Sequence, residues 1–462
     1  MKFNHLVKLL LILTVIFSAC SKDDCNLDHP GNQLEFPAIK SGTFPTGDIT
    51  LNVGDSYLFA PQVITSGDVY YQWDLNGDDM STDPSFTLLA ERPMRSKIAL
   101  TLSNDYGSVV LENKITVNGA DYNNKYLIVN EGWFGHEAGN ITAFNPADKS
   151  VEQWTFKTQN FGATLGTTSQ SATIWNNKLY VCSKEGKNLT VIDPKTLYLE
   201  KQSGAILGGR QAYEFIGINE QYGVLTANAD LYRVDLNTLK TEQIMMSDSY
   251  NGCGSGYVWN DKLLINIKGR KLHVLDLDKV LGDLSGYSWS NYFPFTTIDV
   301  TTSGGCRFVK GADGNLYTIE SSGNNHNLVR INPDLSIEKT PVRSDYNPSS
   351  FGAYREASFC GTGKDNDFYY VAGGKIYKSS FDDAAPQESF TKWEKSGYTL
   401  YGAGIRVNPA NGELVATYTS MNHPTNADYY NNIIVRFDGN TGQVLSETEY
   451  EGYCFPATIV FP

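Results

Sequence analysis

The sequence predicts an all-β protein: a small β-sandwich followed by a seven-bladed β-propeller that the C-terminal strand closes. Three observations predict it. A phrase of two short apolar runs, separated by turn residues and closed by Asp or Asn, recurs along most of the chain. Its period of roughly 40 to 50 residues is that of a propeller blade. Before about residue 120 the phrase gives way to plain alternating strands, and no run has the periodicity of a long helix.

Residues 1–19 read as an export signal. Lys2 and Lys8 form its positive region, Leu9 to Phe17 is an unbroken apolar run, and Ser18-Ala19 precede Cys20. The run is short for a bilayer span. Small residues before a cysteine resemble a bacterial lipobox, which implies that Cys20 is lipidated and becomes the first mature residue. The alternative is an ordinary signal with a chance cysteine. Ser21-Lys22-Asp23-Asp24 resembles the surface-export signal of Bacteroidetes lipoproteins, although a solvated charged tether would look the same. Residues 20–34 are expected to be a lipidated tether. The expected location is the outer membrane, lipid-anchored, facing outward, with no other membrane contact.

Loss of Lys2 and Lys8 leaves 35 of the 37 Lys and Arg against 51 Asp and Glu, a formal charge of −16. Phosphate-backbone binding needs clustered cations, so nucleic acid is not an expected partner.

Residues 35–119 are expected to form the sandwich. Ile49 to Val53, Val69 to Asp74, Ile98 to Asn104 and Ile115 to Val117 are its clearest strands. The Gly-Asp, Tyr-x-Trp-x-x-Asn-Gly and Ser-Asn-x-Tyr-Gly phrases resemble PKD-like, immunoglobulin-type modules of bacterial surface proteins, which implies a spacer with Trp73 in its core.

The propeller is expected over residues 124–462. Seven phrases are present, the clearest being Leu179-Tyr180-Val181 with Leu189 to Asp193, and Leu316-Tyr317-Thr318 with Leu328 to Asn332. An innermost strand precedes six phrases. The first phrase, at Tyr126 to Val129, has none, and the orphan Pro456 to Phe461 is expected to complete it. Such closure removes exposed sheet edges. Leu277 to Ser285 reads as a short helix.

The chain lacks a phosphate loop, a Gly-x-Ser-x-Gly elbow, His-Glu-x-x-His and Cys-x-x-Cys. No enzyme activity, cofactor or metal is therefore expected. His136, His326 and His423 share a loop class and could hold a metal, but unrelated loop histidines are the preferred reading. His273 reads as structural. Asp193, Asp235, Asp276 and Asp438 close their phrases and read as turn residues rather than acid–base pairs. Cys253, Cys306, Cys360 and Cys454 fall near the starts of innermost strands, where buried thiols are preferred to disulfides.

Loops carry the functional signal. Trp133, Phe134 and His136 leave the first blade. Arg210 and Tyr213 join the second to the third, and Tyr250 the third to the fourth. Tyr354 and Arg355 precede the sixth, while Tyr401 and Tyr453 lie at later junctions. These loops belong to one face, whose aromatic and Arg content suits recognition.

Four segments carry a family resemblance: Ile128 to Gly135, Leu165 to Ser171, Val407 to Leu414 and Gly452 to Pro456. They resemble the YncE-like, DUF5074-type surface lipoproteins of Bacteroidetes, which include the BtuG-type proteins that capture vitamin B12. The resemblance implies capture of a nutrient, such as a cobalamin or other corrinoid, for a TonB-dependent outer-membrane transporter. A glycan-binding lipoprotein of a polysaccharide-utilisation system is the alternative, and a lyase- or hydrolase-type propeller a third reading.

Overall fold

The computed structural model describes residues 36–65, 67–133, 135–228, 230–246, 253–288, 290–301, 307–322, 325–346, 358–383, 385–420, 430–452 and 455–462. Among the described residues it is all-β apart from two one-turn α-helices, α1 (Thr155–Gln159) and α2 (Leu277–Leu281). Helix α2 lies where a helix is expected. Helix α1 is too short to leave a periodic trace in the sequence.

The N-terminal unit holds a five-stranded and a two-stranded sheet. Ile49–Leu51 pairs in parallel with Gly107–Val117, and the other ladders are antiparallel. Its core forms around Trp73, fully buried among Phe44, Phe59 and Phe86. The Trp73 indole N–H donates to the Asp83 carbonyl oxygen at 2.9 Å, so this large ring is buried without an unmet donor.

Seven further sheets follow among the described residues, numbered here in chain order. Sheet 1 combines Tyr126–Asn130, Asn140–Phe144 and Val151–Glu152 with the C-terminal strand Pro456–Val460. Sheets 2 to 5 and 7 are four-stranded meanders, and sheet 6 has three strands, Cys360–Gly361, Asp367–Ala372 and Lys375–Ser380. Leading strands of neighbouring sheets meet. Thr167–Trp175 of sheet 2 touches Pro456–Val460 on one side and Ala212–Gly217 of sheet 3 on the other. Tyr398–Val407 of sheet 7 touches Cys360–Gly361 and Pro456–Val460.

Apolar side chains are shared between sheets rather than kept within them. One cluster lies between each successive pair. A last cluster of Tyr126, Ile128, Phe144, Val415, Ile434, Tyr450 and Ile459 joins sheet 7 back to sheet 1. Strands buried on both faces explain the continuous apolar runs of the repeat.

Turn chemistry follows the repeat. Asp235 Oδ1 accepts from the Asn237 and Thr238 N–H groups at 3.0 and 2.8 Å. Asp193 and Asp438 make the same turn. Asp276 departs from the expectation. It precedes α2, and its carboxylate pairs with Lys262 at 2.8 Å rather than closing a turn, because the helix takes over the turn's place.

The two units are fastened together. The Arg95 guanidinium sits over the rings of Phe161 and Tyr198, at 4.7 and 4.5 Å. The Phe161 N–H donates to the Arg95 carbonyl oxygen at 2.6 Å, and Gln159 Nε2 to the Pro93 oxygen at 2.7 Å. Helix α1 presents Lys157 to Asp78.

Candidate functional site

The loop from Glu131 to Gly139 is built by its glycines. Gly132 has φ of 74°, and a Cβ there would lie 2.4 Å from the Glu137 carbonyl oxygen. Only glycine fits such a close approach. The tight turn lets the Trp133 N–H reach Glu137 O at 3.0 Å, while the His136 and Glu137 N–H groups reach Trp133 O at 2.8 Å. The His136 ring is thereby set 4.5 Å from the Trp133 indole. Two of the expected binding residues are thus brought together. The loop is held to the head of sheet 2, where the Gly139 N–H donates to Gly166 O at 2.9 Å and Ala138 bridges Thr167.

Beneath this loop lies a buried polar group that the sequence reading missed. Gln170 Nε2 donates to Glu131 Oε1 at 3.1 Å, and both residues are 4% exposed. Ser169 and Ser183 share a hydrogen bond of 2.7 Å beside them. The sequence signal was a Glu directly after an apolar strand and a Gln inside a small-residue strand.

The leading strands share a second feature. Each of five carries surplus residues opposite its partner strand: Gln170, Tyr213, the stretch Gly254-Ser255, the stretch Tyr401 to Gly404, and Ala457. Bulges redirect side chains at functional rims. Tyr213 and Tyr401 were expected in loops but lie on these strands, 8% and 2% exposed. Tyr401 packs its ring 5.0 Å from Phe455. Arg210 is on the loop ahead of Tyr213, with Nε 3.4 Å from Asp230 Oδ2. Burial and the nearby Asp230 carboxylate push the Tyr232 hydroxyl up to about 12.

Phe134, Tyr250, Tyr354, Arg355 and Tyr453 lie outside the described residues, as do Cys20, Cys306, Cys454 and His423. Cys253 opens the leading strand of sheet 4, and Cys182 and Cys360 are buried thiols. His273 is buried, its Nδ1 2.7 Å from Lys271 O and its ring stacked on Phe295. His326 Nδ1 is 3.0 Å from Ser321 Oγ, and burial lowers its pKa. Among the described residues no three His, Cys, Asp or Glu side chains gather as a metal site.

At the opposite end of the leading strands two cavities adjoin. One, of about 370 Å³, is lined by Arg307, Lys310, Arg406 and the tails of the leading strands of sheets 1, 2 and 6. The other, of about 380 Å³, is lined by Glu214, Trp175 and Tyr257. Thr173, Arg307 and Phe308 border both. Glu214 is 8% exposed and accepts from the Gly256 N–H at 3.2 Å. Sequence reading passed over these residues because they converge only through the arrangement of the sheets.

The model of a domain of unknown function, DUF5074, matches residues 124–462. The chain belongs to the DUF5074 family. The family region coincides with the seven sheets and leaves the N-terminal unit outside it. Among solved structures, a quinoprotein alcohol dehydrogenase-like protein from Bacteroides thetaiotaomicron is similar with a TM-score of 0.69 at 25% identity. That match covers 92% of this chain and 99% of that one, so the likeness extends beyond the DUF5074 region into the N-terminal unit. A virginiamycin B lyase from Staphylococcus aureus aligns with a TM-score of 0.41 at 11% identity, over 62% of this chain and 84% of its own. No curated protein matches the chain. The DUF5074 region is therefore a β-propeller-like all-β fold.

Proposed function

We propose that the seven sheets are the blades of a closed ring, borne on a PKD-like spacer and tethered through a lipidated Cys20 to the outer face of the outer membrane. In this reading the ring captures a nutrient, a corrinoid in the first instance, and passes it to a TonB-dependent transporter. The observation that carries the reading is the Trp133–His136 ring pair, fixed by the Gly132 turn over the buried Glu131–Gln170 pair. A pair of rings held on a rigid support loses little freedom when a large ligand settles on it. Closure of the ring is supported by the apolar cluster shared between sheets 7 and 1.

The test is calorimetric titration of residues 21–462 with cyanocobalamin, with a glycan panel in parallel. One-to-one binding that weakens about tenfold or more in Trp133→Ala is expected, since a central aromatic anchor typically carries that much. Absence of heat with cyanocobalamin at micromolar protein would overturn the corrinoid assignment. Binding of a glycan instead would move the function to polysaccharide capture.

A further inference from the structure

Among the described residues sheet 6 is one strand short of its neighbours, and a pocket opens beside its outer strand. The chain that leaves Lys375–Ser380 returns to it at Phe390, whose N–H donates to the Ile376 carbonyl oxygen at 2.8 Å. It then runs without strand structure to the leading strand of sheet 7, Tyr398–Val407. The 373–374 turn of sheet 6, this connecting segment and Tyr418 of sheet 7 enclose a cavity of about 410 Å³. That lies within the roughly 300–1,000 Å³ of small-molecule sites.

Trp393 borders the cavity in a fixed orientation. Its Nε1 donates to Glu447 Oε2 at 2.7 Å, and its ring lies 4.4 Å from that of Tyr418. The indole is therefore placed before a ligand arrives. Tyr418 is 7% exposed, and burial raises its pKa with no hydrogen bond to moderate the rise. A buried hydroxyl without a partner is costly, and this residue borders the cavity, where a polar ligand group would meet it. The charged side chains of the lining are already matched. Lys375 pairs with Glu394 at 2.8 Å, and Lys395 with Glu447 at 3.1 Å and with Glu449. An ionic ligand would have to break one of these pairs.

We infer that this pocket binds a neutral sugar residue of a glycan, with the Trp393 ring against a C–H face of the sugar and the Tyr418 hydroxyl bonded to one of its hydroxyls. The face of an indole is negative and sugar C–H bonds are weakly positive, so the two attract while apolar area is buried. Thr391 and Ser396 add hydroxyl-bearing residues to the border. The pocket shares no residue with the Trp133 loop, so this inference and the corrinoid reading stand or fall independently.

The probes are maltose, cellobiose, xylobiose, mannobiose and lactose, with galacturonic acid as the charged comparison, titrated calorimetrically into residues 21–462. At least one neutral disaccharide is expected to bind one-to-one with millimolar or tighter affinity, ahead of galacturonic acid. Tyr418→Phe is expected to weaken that binding about fivefold to tenfold, the loss of one hydrogen bond, without lowering the melting temperature. Trp393→Ala is expected to weaken it about tenfold or more. Trp133→Ala is expected to leave sugar binding unchanged, and Tyr418→Phe to leave cyanocobalamin binding unchanged. No heat with any neutral disaccharide at millimolar concentration would overturn the inference, as would tighter binding of galacturonic acid. Sugar binding that Tyr418→Phe does not change, or a melting temperature that it lowers, would overturn it as well. Sugar binding lost in Trp133→Ala instead would move the sugar to the Trp133 loop and overturn this site alone.

Discussion

Gln170 and Glu131 meet side chain to side chain at 3.1 Å across the boundary between sheets 1 and 2, both almost wholly removed from solvent. The Glu131 main chain is tied in as well, its N–H to Phe455 O at 2.9 Å and its oxygen to the Ser169 N–H at 3.2 Å. One residue thus links the loop, the C-terminal segment and sheet 2.

Replacing Gln170 by Leu removes a donor from a buried carboxylate. A cost of about 1–3 kcal/mol is expected, because the buried carboxylate loses one hydrogen-bond donor and gains no water in its place. Urea unfolding measures it. A variant as stable as the parent would show that the pair has no net worth.

An ion pair of the sheet 7 segment latches it to sheet 1 through hydrogen bonds. Arg436 holds Glu413 at 2.7 and 2.9 Å and donates to Pro146 O at 2.9 Å, while the Tyr126 hydroxyl donates to Glu413 at 2.8 Å. Burial acting alone would raise the Glu413 carboxyl, but the Arg436 and Tyr126 hydrogen bonds outweigh it and hold it below the ordinary value. A carboxyl depressed in the fold contributes stability that is present above the unfolded pKa of about 4.3. That stability is lost as pH falls through the folded value. Glu413→Gln is expected to cost about 2 kcal/mol at pH 7, below the figure for a fully buried pair because both side chains keep some water. The difference from the parent should shrink below about pH 4. Melting curves from pH 3 to pH 7 decide it, and a gap that stays constant on acidification counts against the latch.

Arg95 lies between two rings of the DUF5074 region. Arg95→Ala is expected to cost about 1 kcal/mol of the contact between units, the usual worth of a partly desolvated cation–π arrangement. Differential scanning calorimetry should then resolve two transitions where the parent gives one. A single unshifted transition would count against coupling through Arg95.

The repeat was legible because its chemistry is local. Leu179, Val181, Leu189 and Ile192 alternate with turn residues whose side chains cap their own backbone, and each phrase states its strands without help from the rest. Asp276 broke the rule where α2 replaced the turn. Tyr213 and Tyr401 were read as loop residues because a surplus residue in a strand leaves no mark on composition. Trp133 and His136 were read correctly as loop neighbours, though their ring contact depends on the left-handed Gly132. Arg307 and Arg406 lie 99 positions apart and share a cavity only because the leading strands converge. Long-range convergence of that kind has no local signature.

The bulged leading strands carry an evolutionary consequence. A surplus residue makes no ladder hydrogen bond, so exchanging it leaves strand pairing untouched. Five sheets each offer such a position near the same rim. Mutation can therefore alter this rim one sheet at a time with the scaffold's register conserved, wherever the surplus residue does not, as Gln170 does, hold a buried partner.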